Sequence, residues 1–153
     1  MKATIQSWRT FWALNRAERA VAWSAALGLA AAWIGLRLFG FRRCQEFASK
    51  RIENPQHPAA AILANRILQL QAAASRNLFF GTNCLEQSLV LWSLLRRHGF
   101  AAELKIGARK EAGRFEAHAW VELDRVPLND ETSSNRQFVP FDGAITSLET
   151  QAE

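Results

Sequence analysis

Between Thr82 and Gly99 the chain runs TNCLEQSLVLWSLLRRHG, and this stretch constrains the fold more than any other. It carries the marks of one complete helix. Asn83 suits the N-cap, and Glu86, three residues on, can reach back to close a capping box. Cys84 then falls on the first helical position. Leu85, Leu89 and Trp92 recur at i, i+4, i+7, and Val90, Leu91, Leu94 and Leu95 widen that face. Arg96, Arg97 and His98 fill the last turn, where cations suit the helix dipole. Gly99 suits the C′ position. A helix this apolar must be buried, so it is expected at the centre of the fold. Its thiol sits at the positive end of the dipole, which favours the thiolate.

The chain before this helix reads as helical. Asn15 and Glu18 form a second candidate capping box. From Ala20 to Leu36 seventeen residues carry no formal charge. Arg37, Arg42 and Arg43 follow. A membrane-crossing helix wants about 20 apolar residues, and flanking arginines can snorkel. Residues 20–41 are therefore read two ways: as a helix buried against the body or a partner, or as a membrane-associated one. Four of the six tryptophans lie before Ile34, which suits either reading. Asn54, Pro55, His57 and Pro58 form a breaker cluster. It divides the chain into an apolar and basic helical segment, 1–57, and a main body, 58–153. Pro58 can open the next helix. In that helix Leu63, Ile67, Leu70 and Ala74 lie on one side.

After Gly99 the period changes from helical to two. Ala102, Leu104, Ile106 and Ala108 alternate with Glu103, Lys105 and Arg109, which predicts a strand over 100–109. A turn follows at 110–114. In a second strand, 115–123, Phe115, Ala117, Ala119, Val121 and Leu123 share one face. Glu116, His118, Trp120 and Glu122 share the other. A short third strand is expected over 126–130, with Pro127 marking an edge, and a fourth over 138–141. Helices followed by an antiparallel meander make the fold class α+β.

Composition sets the context. The 153 residues suit one ordinary core, and the net charge of +5 is uneven. Residues 1–58 hold nine Lys/Arg and three Asp/Glu, whereas residues 59–153 hold ten and eleven. The basic front either meets something acidic or is a solvated face. Arginines scattered through apolar segments do not form the basic stripe that nucleic-acid binding needs. Cys44 and Cys84 make no CxxC pair and no disulfide framework. No secretory signal is evident, so a reducing cytoplasm is the expected setting. The cysteines and histidines lack metal-ligand spacing, and neither a metal nor another cofactor is expected.

A nucleophilic cysteine needs a base within hydrogen-bond reach, and the base needs an orienting group. His118 and Asp130 are the candidates. Asp124 and Arg125 turn the chain. A three-residue turn, 123–125, sets His118 and Asp130 directly opposite each other on one face, while a two-residue turn sets them on opposite faces and breaks the triad. Asp142 is a competing acid, read as a turn residue before Gly143. Oxyanion donors are sought in the backbone N–H of Cys84 and in the side chains of Asn83 and Asn77. Trp120, beside His118, is a supporting candidate. The competing structural readings are a core cysteine, a structural histidine and a turn aspartate.

Three stretches taken together, NCLEQSLVLWSLLRRHGF, AELKIGARKEAGRFEAHAWVEL and the ND of PLND with FVPFDG after it, resemble the lasso peptide biosynthesis B protein family. The resemblance is to its peptidase half, over about residues 58–143. It implies a transglutaminase-like fold related to papain, with Cys84 as nucleophile, His118 as general base and acid, and Asp130 as orienting carboxylate. It implies removal of the leader from a ribosomally made lasso precursor peptide, delivered by a leader-binding recognition protein and followed by an ATP-dependent lasso cyclase. Two other readings stay open: acyl transfer to an amine through the same thioester, and a non-catalytic partner-binding module.

Overall fold

The computed structural model describes residues 12–49, 60–111, 114–129 and 139–140. Three helices, α1 (Arg16–Ala48), α2 (Ala60–Asn77) and α3 (Cys84–Arg97), precede four strands: β1 (Glu103–Glu111), β2 (Arg114–Leu123), β3 (Val126–Pro127) and β4 (Val139–Pro140). The fold is α+β, as the change of period predicts.

Both capping boxes form. The Asn83 side chain accepts from the Glu86 N–H at 2.9 Å, and Glu86 Oε2 accepts from the Asn83 N–H at 3.0 Å. Asn15 and Glu18 repeat this pair of bonds at the start of α1. Each box satisfies donors that a helix start otherwise leaves open. At the far end of α3, Gly99 takes φ +84°, the left-handed C′ position.

The central helix touches α1, α2, β1 and β2. Leu89, Leu91, Leu94 and Leu95 are fully or almost fully buried, each contributing about 2 kcal/mol of transfer free energy. Val90 faces α1 at Gly28, where a β-carbon would come within 3.1 Å of Val90 Cγ1. The bare glycine lets the two helices approach. Trp92 Nε1 donates to the Ala102 carbonyl at 2.9 Å, which ties the middle of α3 to the entry of β1.

The apolar front helix is divided lengthwise. Ala25, Leu29 and Ala32 are buried in one cluster with α2, α3 and Val121. The opposite side exposes Trp23, Leu27, Ile34 and Leu38. By length and composition α1 could cross a membrane, yet one face already belongs to the protein core. At Gly40 the backbone turns to φ +76°, ψ 172°, a region only glycine enters freely, and the helix kinks there. Pro58 and His57 lie outside the described residues.

The sheet order is β3-β2-β1-β4. The expected meander is therefore corrected: β4 pairs with β1 through Gly107↔Pro140 and Ala108↔Val139, not with β3. The expected third strand is also shorter. It ends at Pro127 because the Asn129 side chain, not a backbone carbonyl, takes the next donor of β2, with Val121 N–H to Asn129 Oδ1 at 2.8 Å. Leu128 N–H still donates to the Val121 carbonyl at 2.9 Å. Two ladder residues and a side-chain bridge leave β3 short, and β4 pairs instead along the side of β1 away from β2.

Candidate active site

Cys84 is the first helical residue of α3 and is half-buried. The cap uses the N–H groups of Glu86 and Gln87, the latter donating to the Asn83 carbonyl at 3.1 Å. Those of Cys84 and Leu85 take no part in it. The approach to the cysteine is tied on both sides. Thr82 Oγ1 lies 2.7 Å from Ser75 Oγ of α2. Gln87 Nε2 donates to the Thr82 carbonyl and hydroxyl at 3.2 and 3.1 Å.

His118 lies on β2, half-buried, with its ring stacked on Trp120 at 6.0 Å and 16° between planes. Trp120 is 1% exposed, and its Nε1 donates to Glu122 Oε1 at 2.8 Å. Trp120 is thus a fixed plate beside the imidazole, with its donor already engaged. The strand is exposed from Arg114 to Ala117 and buried from Ala119 to Val121. His118 marks the border at which β2 emerges from the core.

Two contacts set α3 along this strand. Ser88 Oγ donates to the Ala119 carbonyl at 2.8 Å. Trp92 reaches Ala102, the residue before Glu103, which pairs with Glu122. Helix and strand therefore advance in the same direction. Cys84 thus lies one turn before the residue of α3, and His118 one residue before the residue of β2, that the Ser88–Ala119 bond joins.

The same serine accepts from Asn129 Nδ2 at 2.8 Å. One bridge thus joins the residue four after Cys84, the residue after His118, and the residue before Asp130. The alternating pattern marked neither Ser88 nor Asn129 as important; each is a polar residue whose partner lies on another element. Asp130 itself lies outside the described residues, as does Asp142. The β2–β3 turn is Asp124–Arg125, two residues, both at positive φ (52° and 65°), with Leu123 opposite Val126 and Glu122 opposite Pro127. The turn is thus made by Asp124 and Arg125, as their place in the sequence suggests, and is not the three-residue turn that a ladder pairing of His118 with Asp130 demands. Ladder parity stops applying at Asn129, where the chain leaves the sheet through its side chain.

Of the oxyanion candidates, Asn83 uses Oδ1 in the cap. Asn77 Nδ2 donates to the Ala73 carbonyl of its own helix at 2.7 Å. Cys44, by contrast with Cys84, lies within α1 against the core cluster, and burial raises its thiol above the ordinary value.

The first turn of α3 also carries a buried carboxylate. Glu86 has a side chain 1% exposed, and its Oε1 accepts from Arg37 Nη1 at 2.9 Å. Arg37 comes from α1, donates to the Trp33 carbonyl at 2.7 Å and lies 4.1 Å over the Trp33 ring. Trp33 in turn meets Phe80 at 5.4 Å, in the segment that leads to Cys84. One arginine of the basic front is thus engaged inside the molecule.

Neither the curated proteins nor the solved structures contain a match to this chain. A model of the transglutaminase-like superfamily matches residues 23–141, from within α1 to just beyond β4. That superfamily includes cysteine peptidases and acyltransferases, and enzymes of this fold are commonly cysteine-dependent. The match covers well over half of the chain and takes in the cysteine helix, the histidine strand and the helix that braces them, so the protein belongs to the transglutaminase-like superfamily.

Proposed function

We propose that the protein is a cysteine peptidase that removes the leader from a ribosomally made lasso precursor. Cys84 is the nucleophile, His118 the general base and acid, and Asp130 the orienting carboxylate. The observation that supports this reading is the Ser88–Ala119 bond, which ties the helix begun by Cys84 to the strand that carries His118, in a member of a superfamily whose enzymes are commonly cysteine-dependent. His118 takes the Cys84 proton and the sulfur attacks the scissile carbonyl. The Sγ–C bond forms, the C–N bond breaks, and His118 returns the proton to the departing amine, which is the new N-terminus of the core peptide. Water then hydrolyses the thioester to the leader carboxylate and the free thiol. The Cys84 N–H is the first oxyanion donor.

In this reading the reaction runs in the cytoplasm. A leader-binding protein delivers the precursor and an ATP-dependent cyclase takes the freed amine. The exposed stripe of α1 is the face offered to that assembly. The test is mass spectrometry of a lasso precursor incubated with its leader-binding protein and either the wild type or Cys84→Ala. Cleavage by the wild type alone, with a loss of about 10⁴-fold or more in the variant, is the expected result. Equal cleavage by both moves the chemistry away from Cys84. An added primary amine appearing in the product would instead identify acyl transfer.

A further inference from the structure

A charge buried two residues from a nucleophilic thiol acts on it. Glu86 is such a charge: it lies in the first turn of α3, nearly inaccessible to water, with both oxygens engaged. A carboxylate there, left without a cation, repels a negative charge developing on a sulfur in the same turn. The cap needs the carboxylate, so the fold requires a cation for it. That cation comes from α1.

We infer that Arg37 is a positioning residue for Cys84. Through Glu86 it neutralises the carboxylate of the cysteine turn, and through Trp33 and Phe80 it braces the segment that delivers the thiol. The inference rests on Cys84 being the nucleophile, and it gives the front helix a part in the site. Among the described residues, Glu86 on α3 and Arg37 on α1 form the ion pair of this turn, and His118 is the titratable residue of β2 next to the α3 contact at Ala119. Gln87, three residues after the cysteine, is neutral and holds Thr82. Arg37 remains about half exposed, so it can be exchanged without opening the core.

The experiment uses the full chain with Cys44→Ser, so that Cys84 is the single thiol. Its alkylation by iodoacetamide is followed by mass spectrometry between pH 5 and 10 in four backgrounds: unchanged, Arg37→Ala, Glu86→Gln, and both together. Arg37→Ala should move the half-maximal alkylation rate upward by about one pH unit, a roughly tenfold slower reaction near neutrality. Adding Glu86→Gln should return it to within a few tenths of a unit, and Arg37→Lys should largely preserve the unchanged profile. A purely structural brace predicts otherwise: Arg37→Ala and the double variant would shift alike, or none would shift. Either result overturns the inference. In the precursor cleavage assay Arg37→Ala should lower kcat with KM little changed. The two proposals fail separately. An alkylation profile that obeys the cycle in a wild type that cleaves no precursor keeps the role of Arg37 and removes the peptidase.

Discussion

Two helices of this protein begin with the same four-residue device. Asn15-x-x-Glu18 starts α1 and Asn83-x-x-Glu86 starts α3, each with both reciprocal bonds. Each glutamate is also bound by an arginine from another helix: Glu18 by Arg66 of α2 at 2.7 Å, Glu86 by Arg37 of α1 at 2.9 Å. The local chemistry is identical, and the surroundings are not. The Glu18 side chain is 23% exposed and that of Glu86 1%. A residue with ordinary surface duties follows Asn15, whereas a cysteine follows Asn83. The same motif is a partly exposed cap in one place and, in the other, a buried cap that leads into a cysteine.

Breaking the carboxylates should separate them most. Glu86→Ala leaves Arg37 without its partner and empties a buried position, so a loss of about 3 kcal/mol is expected. Glu18→Ala removes a part-buried, more accessible pair and should cost less. Urea midpoints of the two variants measure the contrast. Equal losses would mean that Glu86 behaves as a surface group.

The cysteines sharpen the same contrast between a helix start and a helix interior. Cys84 should react with iodoacetamide at least about tenfold faster than Cys44 at pH 7.5, because it stands at a helix start while burial holds the Cys44 proton. Cys44 should become reactive only at alkaline pH. Equal rates, read by peptide mass spectrometry, would remove the argument from helix position.

The caps themselves should be nearly equal. Asn15→Ala and Asn83→Ala each lose one side-chain acceptor, at about 1 kcal/mol. A much larger loss for Asn83→Ala would show that the cap also positions the active turn.

The smallest effect is in acid. Arg66, and then the Asn15 N–H, hold the Glu18 carboxyl below its ordinary value. A carboxylate depressed in the folded state adds stability that is complete above the unfolded value, near pH 4.3. That stability is lost as pH falls through the lower folded value. Glu18→Gln should therefore flatten the stability profile below about pH 4 and leave it unchanged in slope near neutrality. A flattening at pH 6 or above would contradict the assignment.

Much of this architecture is legible in the chain because it is local. A capping box needs residues three apart, a C′ glycine needs the helix that ends before it, and the alternation of β1 and β2 is visible in ten residues. The centrality of α3 follows from its apolarity on more than one side. The rest depended on partners far apart in sequence. Arg37 is 49 residues from Glu86, and nothing local distinguishes it from Arg42 or Arg43. Ser88 interrupts an apolar run and reads as a weak helix residue until Ala119 and Asn129 are seen around it. The turn at Asp124–Arg125 is legible in position, but it lacks the Asn or Gly that usually signals two left-handed residues, so its length is not legible locally.

The sequence by itself determined the elements, their order, their caps and the chemical types at Cys84 and His118, because these follow from interactions along a few turns or strands. Tertiary structure decided which face of the apolar helix α1 is buried and which side of the sheet takes β4. It also decided that the charge beside the cysteine is matched from another helix. Those choices depend on which surfaces meet, since burial turns an ordinary glutamate into one that must be neutralised.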